Sequence, residues 1–210
     1  MSDFTYEFEN KNTVLEKYEW DNTWLESTDV IDTPRILYIG DSISCATRRV
    51  VTSVAQGTVL VDGLGTSKAV DNPHFPSTIR VFAEQQATRA AILFNNGLHG
   101  WHLNDETEYK LWYQGILKFL LNEFEGTPIF LVLTTAVSDV ERNKRVLARN
   151  KAVLELADEN NLPVMDFYSI TDSHRELISS DGVHLLEEGY ELLAKQVLES
   201  LEDHLHANGM

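Results

Sequence analysis

With 210 residues the chain has room for one domain and at most a small extension, and a chain of that size buries on the order of 70% of its unfolded surface. Its 33 Asp and Glu against 17 Lys and Arg give a formal charge of −16, which repels phosphate backbones and anionic bilayers, so neither nucleic acid nor a membrane surface is an expected partner. The single cysteine, Cys45, excludes an intrachain disulfide, and no apolar run approaches the roughly 18 residues of a membrane span.

Taken in chain order, Met1 to Asn10 is acidic and aromatic. It lacks the basic and then apolar segments of an export leader, so cytoplasmic residence is the expectation unless a leader was trimmed before it. Residues 1–34 read as an extension, closed by Thr33-Pro34, and residues 35–210 as the domain. Trp20 and Trp24 stand among polar residues. Rings of that apolar area favour an arm packed on the domain, with lining of a substrate groove as the alternative.

From Arg35 onward strand and helix patterns alternate. Ile36-Leu37-Tyr38-Ile39 is a continuous apolar run ending in Gly40, as a buried parallel strand would be. A helix is predicted from Ser42 to about Ala55, then a strand over Thr58–Val61 followed by Gly63 and Gly65. A helix over Thr78–Thr88 leads to a third strand, Ala90–Phe94, ending at Asn95-Asn96-Gly97. Asp105 is placed to cap a long helix reaching Glu125. Ile129–Leu133 is a fourth strand, Asp139–Asn160 a further helix, and Val164–Phe167 a fifth strand. Leu186, Tyr190, Leu193, Val197 and Leu201 step at helical spacing in the last helix. Strict alternation implies βαβ units, hence a three-layer α/β/α fold on a five-stranded, mostly parallel sheet.

Ligands of open α/β sheets bind beyond the carboxyl ends of the strands. Four segments with chemistry converge there: Ser42 after the first strand, Gly63 and Gly65 after the second, Asn95 to His99 after the third, and Asp181-Gly182-Val183-His184 after the fifth. A hydroxyl nucleophile, an imidazole to take its proton and a carboxylate to orient the imidazole make up the set that nucleophilic hydrolysis needs. Singly, each has a plainer reading. Ser42 would cap a helix, Asp181-Gly182 would form a turn, His184 would lie on the surface and Asn95 would precede a glycine turn. Cys45 is an alternative nucleophile or simply a small buried residue. His99 and His102, three apart, would suit a metal or, with Trp101, a substrate groove; the groove is the expectation, with no metal and no cofactor. The Gly-x-Ser-x-Gly elbow is absent because Ser44 stands where its second glycine belongs.

At these residues the chain resembles the SGNH (GDSL-type) hydrolases. Gly40-Asp41-Ser42-Ile43-Ser44 matches the first block with Ile in place of Leu, and Asp181-Gly182-Val183-His184 matches the last in full. The resemblance spans about residues 35–205 and implies the family's flavodoxin-like fold. It implies Ser42 as nucleophile, His184 as general base and Asp181 as the orienting carboxylate. The oxyanion donors it implies are the N–H groups of Ser42 and Gly65 and the side chain of Asn95, with Gly63, Asn96 and His99 as alternatives. The third block departs from the family's Gly-x-Asn-Asp in either register. Asn-Asn-Gly-Leu-His is similar to members acting on carbohydrate esters. The expected activity is hydrolysis of carboxylic esters, with small acyl groups such as acetyl on a sugar or oligosaccharide as substrate. A lipase or thioesterase for long acyl chains and an inactive carbohydrate-binding protein are the competing readings. Oligomeric state is not encoded in these motifs.

Overall fold

A computed structural model describes residues 14–86 and 88–207; residues 1–13 of the predicted extension, including the stretch read above as lacking an export leader, lie outside the described residues. The elements in chain order are β1 (Asp21–Trp24), β2 (Arg35–Gly40), α1 (Ser42–Ala55), β3 (Leu60–Thr66), α2 (Phe75–Ala83), β4 (Ala91–Phe94), α3 (Glu106–Glu123), β5 (Ile129–Val132), α4 (Val140–Asn160), β6 (Val164–Met165), α5 (Phe167–Ser173) and α6 (Glu187–Ala207). The sheet order is β1-β3-β2-β4-β5-β6. All neighbours are parallel except β1 and β3.

The sheet therefore has six strands, not the five expected. The sixth, β1, comes from the predicted extension. Its four residues are all exposed, so neither an apolar run nor an alternation marks them. It forms because β3 would otherwise end the sheet with unpaired backbone groups. Other boundaries differ from expectation. β3 continues through Gly63 and Gly65 to Thr66, since β1 and β2 pair with it along that length. α2 starts earlier than Thr78, with Pro76 in its first turn, where a missing N–H costs nothing. The expected fifth strand stops at Met165, because Asp166 accepts the Ser169 N–H and opens α5.

Side chains alternate across the sheet with the strand period of two. Ile36 and Tyr38 join Val51 of α1 and Leu193 and Val197 of α6 on one face. Leu37 and Ile39 join Phe75 and Ile79 of α2, Tyr113 and Leu117 of α3 and Leu156 of α4 on the other. This is the three-layer arrangement that alternating strands and helices demand. One ion pair sits inside it. Asp62 of β3 is fully buried and takes a bidentate pair from Arg35 at 2.8 and 2.9 Å, with further hydrogen bonds from Gln86 at 2.6 Å and the Glu26 N–H at 2.8 Å. The Glu26 contact ties the segment after β1 into the domain interior.

Candidate active site

β2 delivers Gly40 to a tight turn in which a Cβ would stand 2.7 Å from that of Ser44. Asp41 caps α1, its carboxylate accepting the Ile43 N–H at 2.9 Å. Capping is thus done by Asp41, and Ser42, the first helical residue, keeps its hydroxyl free for other partners. Its N–H belongs to the first turn, where helical amides lack carbonyl partners and the dipole favours negative charge. Ser44 is buried and donates its hydroxyl to the Asp41 carbonyl at 2.7 Å. Burial, then the Asp41 charge, push the Cys45 thiol up, with Arg48 and Arg49 opposing. A protonated thiol is a poor nucleophile.

The opposite wall is a short loop before α6. Ile178 and Leu185 bridge it, the Ser179 N–H donates to the His184 carbonyl at 2.7 Å, and Ser138 N–H to the Gly182 carbonyl at 2.8 Å anchors it beyond β5. Gly182 adopts φ 78°, a left-handed turn that a side chain would strain. Asp181 Oδ2 lies 2.6 Å from His184 Nδ1, and His184 Nε2 lies 2.8 Å from Ser42 Oγ. Carboxylate, imidazole and hydroxyl stand in line. Burial acts to raise the Asp181 pKa. It is outweighed by hydrogen bonds from the His184 ring, the Val183 and His184 N–H groups and the Ser179 hydroxyl, so the carboxyl sits well below the usual carboxylate range. Because the folded pKa is depressed, its stabilising contribution is present above the unfolded value of about 3.9 and is lost as pH falls toward the folded one. Urea melts of wild type and Asp181→Asn are expected to differ at pH 6 and to converge on acidification through that window.

The expected oxyanion donors fare differently. Hydrogen-bonding sides alternate along a strand. The Leu60 N–H turns toward β2, at the Pro34 carbonyl (2.9 Å), and the Ser67 N–H turns toward the arm, at the Trp20 carbonyl (3.1 Å). Gly63 and Gly65 share the parity of Ser67, so their N–H groups face β1, opposite Trp24 and Asn22, and are directed away from Ser42. The Asn95 amide is also engaged, donating to the Val132 carbonyl at 2.7 Å and to Thr134 Oγ1 at 3.1 Å. Asn96 gives one amide hydrogen to the Lys68 carbonyl at 2.7 Å, which leaves the other. His99 is buried, and its Nδ1, 3.7 Å from Glu16 Oε1, has no hydrogen-bond partner among the described residues.

Trp101 is not the open groove face that was expected. It is buried, with the guanidinium groups of Arg145 and Arg149 at 4.9 and 4.5 Å from its ring. His102 pairs with Asp71 at 2.6 Å. The two histidines thus turn to different carboxylates, and among the described residues no group of three or more His, Cys, Asp or Glu is arranged to hold a metal ion. Arg149, fully buried, organises this loop. It donates to the carbonyls of Gly97 (3.0 Å), His99 (2.7 Å) and Gly100 (2.7 Å), pairs with Glu106 at 3.2 Å and stacks on Trp101 and Tyr109 at 4.5 Å each. No sequence signal singles it out from the other charged residues of α4. Glu16 is equally unmarked as a site neighbour, since it precedes the domain as read from the pattern, whereas Trp20 belongs to the arm for which groove lining is the alternative reading.

No family model and no curated protein matches the chain. Solved structures do. A lipolytic protein of the G-D-S-L family from Veillonella parvula aligns with TM-score 0.64 and 19% identity over 80% of this chain and 97% of that one. The catalytic domain of a peptidoglycan O-acetyltransferase from Streptococcus pneumoniae aligns with TM-score 0.62 and 15% identity, over 81% and 94%. An acetylxylan esterase from Geobacillus stearothermophilus aligns with TM-score 0.58 and 14% identity, over 79% and 93%. The chain shares the fold of these proteins. Among the described residues no helix is long and apolar enough to cross a membrane.

Proposed function

We propose that the chain is a serine esterase that removes small acyl groups, acetyl foremost, from a carbohydrate. The observation that carries this is the aligned Asp181, His184 and Ser42, at 2.6 and 2.8 Å, on the carboxyl edge of the sheet. The ester carbonyl is attacked by Ser42 Oγ while His184 Nε2 takes its proton. Asp181, held ionised, fixes the tautomer in which Nε2 is the acceptor. The oxyanion forms against the Ser42 N–H at the start of α1, with a side-chain donor from the Asn96–His99 loop. The alkoxide leaves with the proton from His184, and water then attacks the acyl-serine with His184 again as base. The acetylxylan esterase among similar structures supports the acyl and alcohol classes.

Mass mapping after treatment with a serine-directed fluorophosphonate is expected to place one adduct on Ser42, removed by His184→Ala. An adduct on Ser44 or Cys45, or none, would reject the assignment.

A further inference from the structure

We propose that Trp20, carried by the segment before β1, is the residue that limits the acyl group to acetyl size. The inference rests on the esterase reading above and names what selects the acyl chain within it.

Proton transfer fixes which side of Ser42 each half of the ester occupies. His184 hands its proton to the departing alkoxide, so the alcohol lies on the His184 side. That imidazole enters from the β5 side, since Ser138 beyond β5 holds Gly182 of its loop at 2.8 Å. In the sheet, β5 and β3 lie on opposite sides of β2, whose end carries Ser42. The acyl substituent, set opposite the leaving group at the carbonyl carbon, therefore points toward β3.

Trp20 stands there. A Cβ placed on Gly65 would lie 2.1 Å from Cys45 Sγ, 3.3 Å from the Asp41 carbonyl oxygen and 3.6 Å from Cζ3 of Trp20. The indole thus lies beside the turn that presents the nucleophile. Its ring meets His99 edge-on, with centroids 6.0 Å apart, which links it to the third-strand loop as well. Trp20 is only partly buried, so part of it faces outward.

The backbone that carries the ring is pinned. The Trp20 N–H donates to Ser67 Oγ at 2.8 Å and its carbonyl accepts the Ser67 N–H at 3.1 Å. On either side, Glu16 accepts the Gly100 N–H at 2.7 Å, and Glu19 accepts from Ser67 Oγ at 3.0 Å and from Asn72 at 3.3 Å. These bonds fasten the arm across the carboxyl ends of β3 and β4. On this proposal the acetyl methyl stops short of the wall, and each further methylene must displace it.

The test compares kcat/KM for p-nitrophenyl acetate, butyrate and hexanoate in wild type, Trp20→Phe and Trp20→Ala. A methylene against a fixed apolar wall discriminates by about 10-fold or more. Wild type is therefore expected to favour acetate, and Trp20→Ala to raise the hexanoate-to-acetate ratio by at least about 10-fold, with Trp20→Phe between them. A ratio within twofold of wild type in a folded Trp20→Ala, or a wild type that already takes hexanoate as well as acetate, overturns the assignment. Should Trp20→Ala fail to fold, the Trp20→Phe and Trp20→Leu ratios decide in the same way. Ser42→Ala separates the two levels. If it retains turnover, the esterase reading fails and the wall with it; if turnover is lost while the ratios do not move, only the wall is rejected.

Discussion

Ser42→Ala and His184→Ala are each expected to lower kcat/KM for p-nitrophenyl acetate by about 10⁴-fold or more, and the double variant by no more than either alone. The hydroxyl is inert at neutral pH without its base, and the base has no nucleophile to activate once the hydroxyl is gone. Each single change therefore removes the whole relay, leaving only what the oxyanion donors and binding supply. Multiplied losses in the double variant would mean that the two groups act in separate steps, and the 2.8 Å contact between them would then be structural. Stability should be spared in Ser42→Ala. The helix cap is Asp41, and alanine is the best helix former. A melting temperature near that of wild type would make the loss of rate a statement about chemistry.

The second large effect concerns folding. Arg149→Met is expected to destabilise the protein by about 3–5 kcal/mol, since it leaves three buried carbonyls without their donor at about 1–3 kcal/mol each. In a domain of this length that lowers the melting temperature by on the order of 10 °C. The carbonyls of Gly97, His99 and Gly100 would lose their shared donor in a dry interior. Trp101 and Tyr109 would lose the guanidinium stacked between them. Glu106 still has Arg145 at 3.0 Å, so the cost lies with the loop. Arg149→Lys should not rescue it, since an ammonium cannot reach the three carbonyls in one plane or stack on the rings. Calorimetry on the three proteins checks this, and a shift below about 3 °C, under 2 kcal/mol at this size, would mean that other contacts hold the loop.

What the sequence made legible follows from how local each signal is. Asp181 and His184 are three residues apart on one loop, and Ser42 lies just past an apolar run, so their type and spacing alone place them at one sheet edge. The parallel core was equally legible, because β2, β4 and β5 are short apolar runs bounded by Gly, Asn or Pro. Donor roles were not legible, because they depend on which way an N–H turns. Gly65 has the right residue type and position, yet strand parity sends its N–H to β1. Asn95 has the right amide, but Val132 and Thr134 occupy it. Trp101 carries the aromatic area expected of a sugar platform, and only the tertiary packing of two arginines on it shows the ring to be covered. β1 was invisible for a related reason: four exposed polar and aromatic residues have no pattern of their own, and their extended shape is imposed by the strand beside them.

That short strand also decides how the molecule meets others of its kind. Along β3 the N–H and C=O groups of Val61, Gly63 and Gly65 face outward from the parallel core, in a segment whose glycines offer little steric defence. Left open, such a rim is a template on which any extended peptide, including the same segment of another molecule, can add itself. β1 occupies it with its own chain and then presents Asp21, salt-bridged to Lys68 at 2.7 Å, at the new boundary. A shortened chain beginning near Pro34 would bare that rim, and its first failing would be self-association in solution ahead of any loss of the Ser42 chemistry.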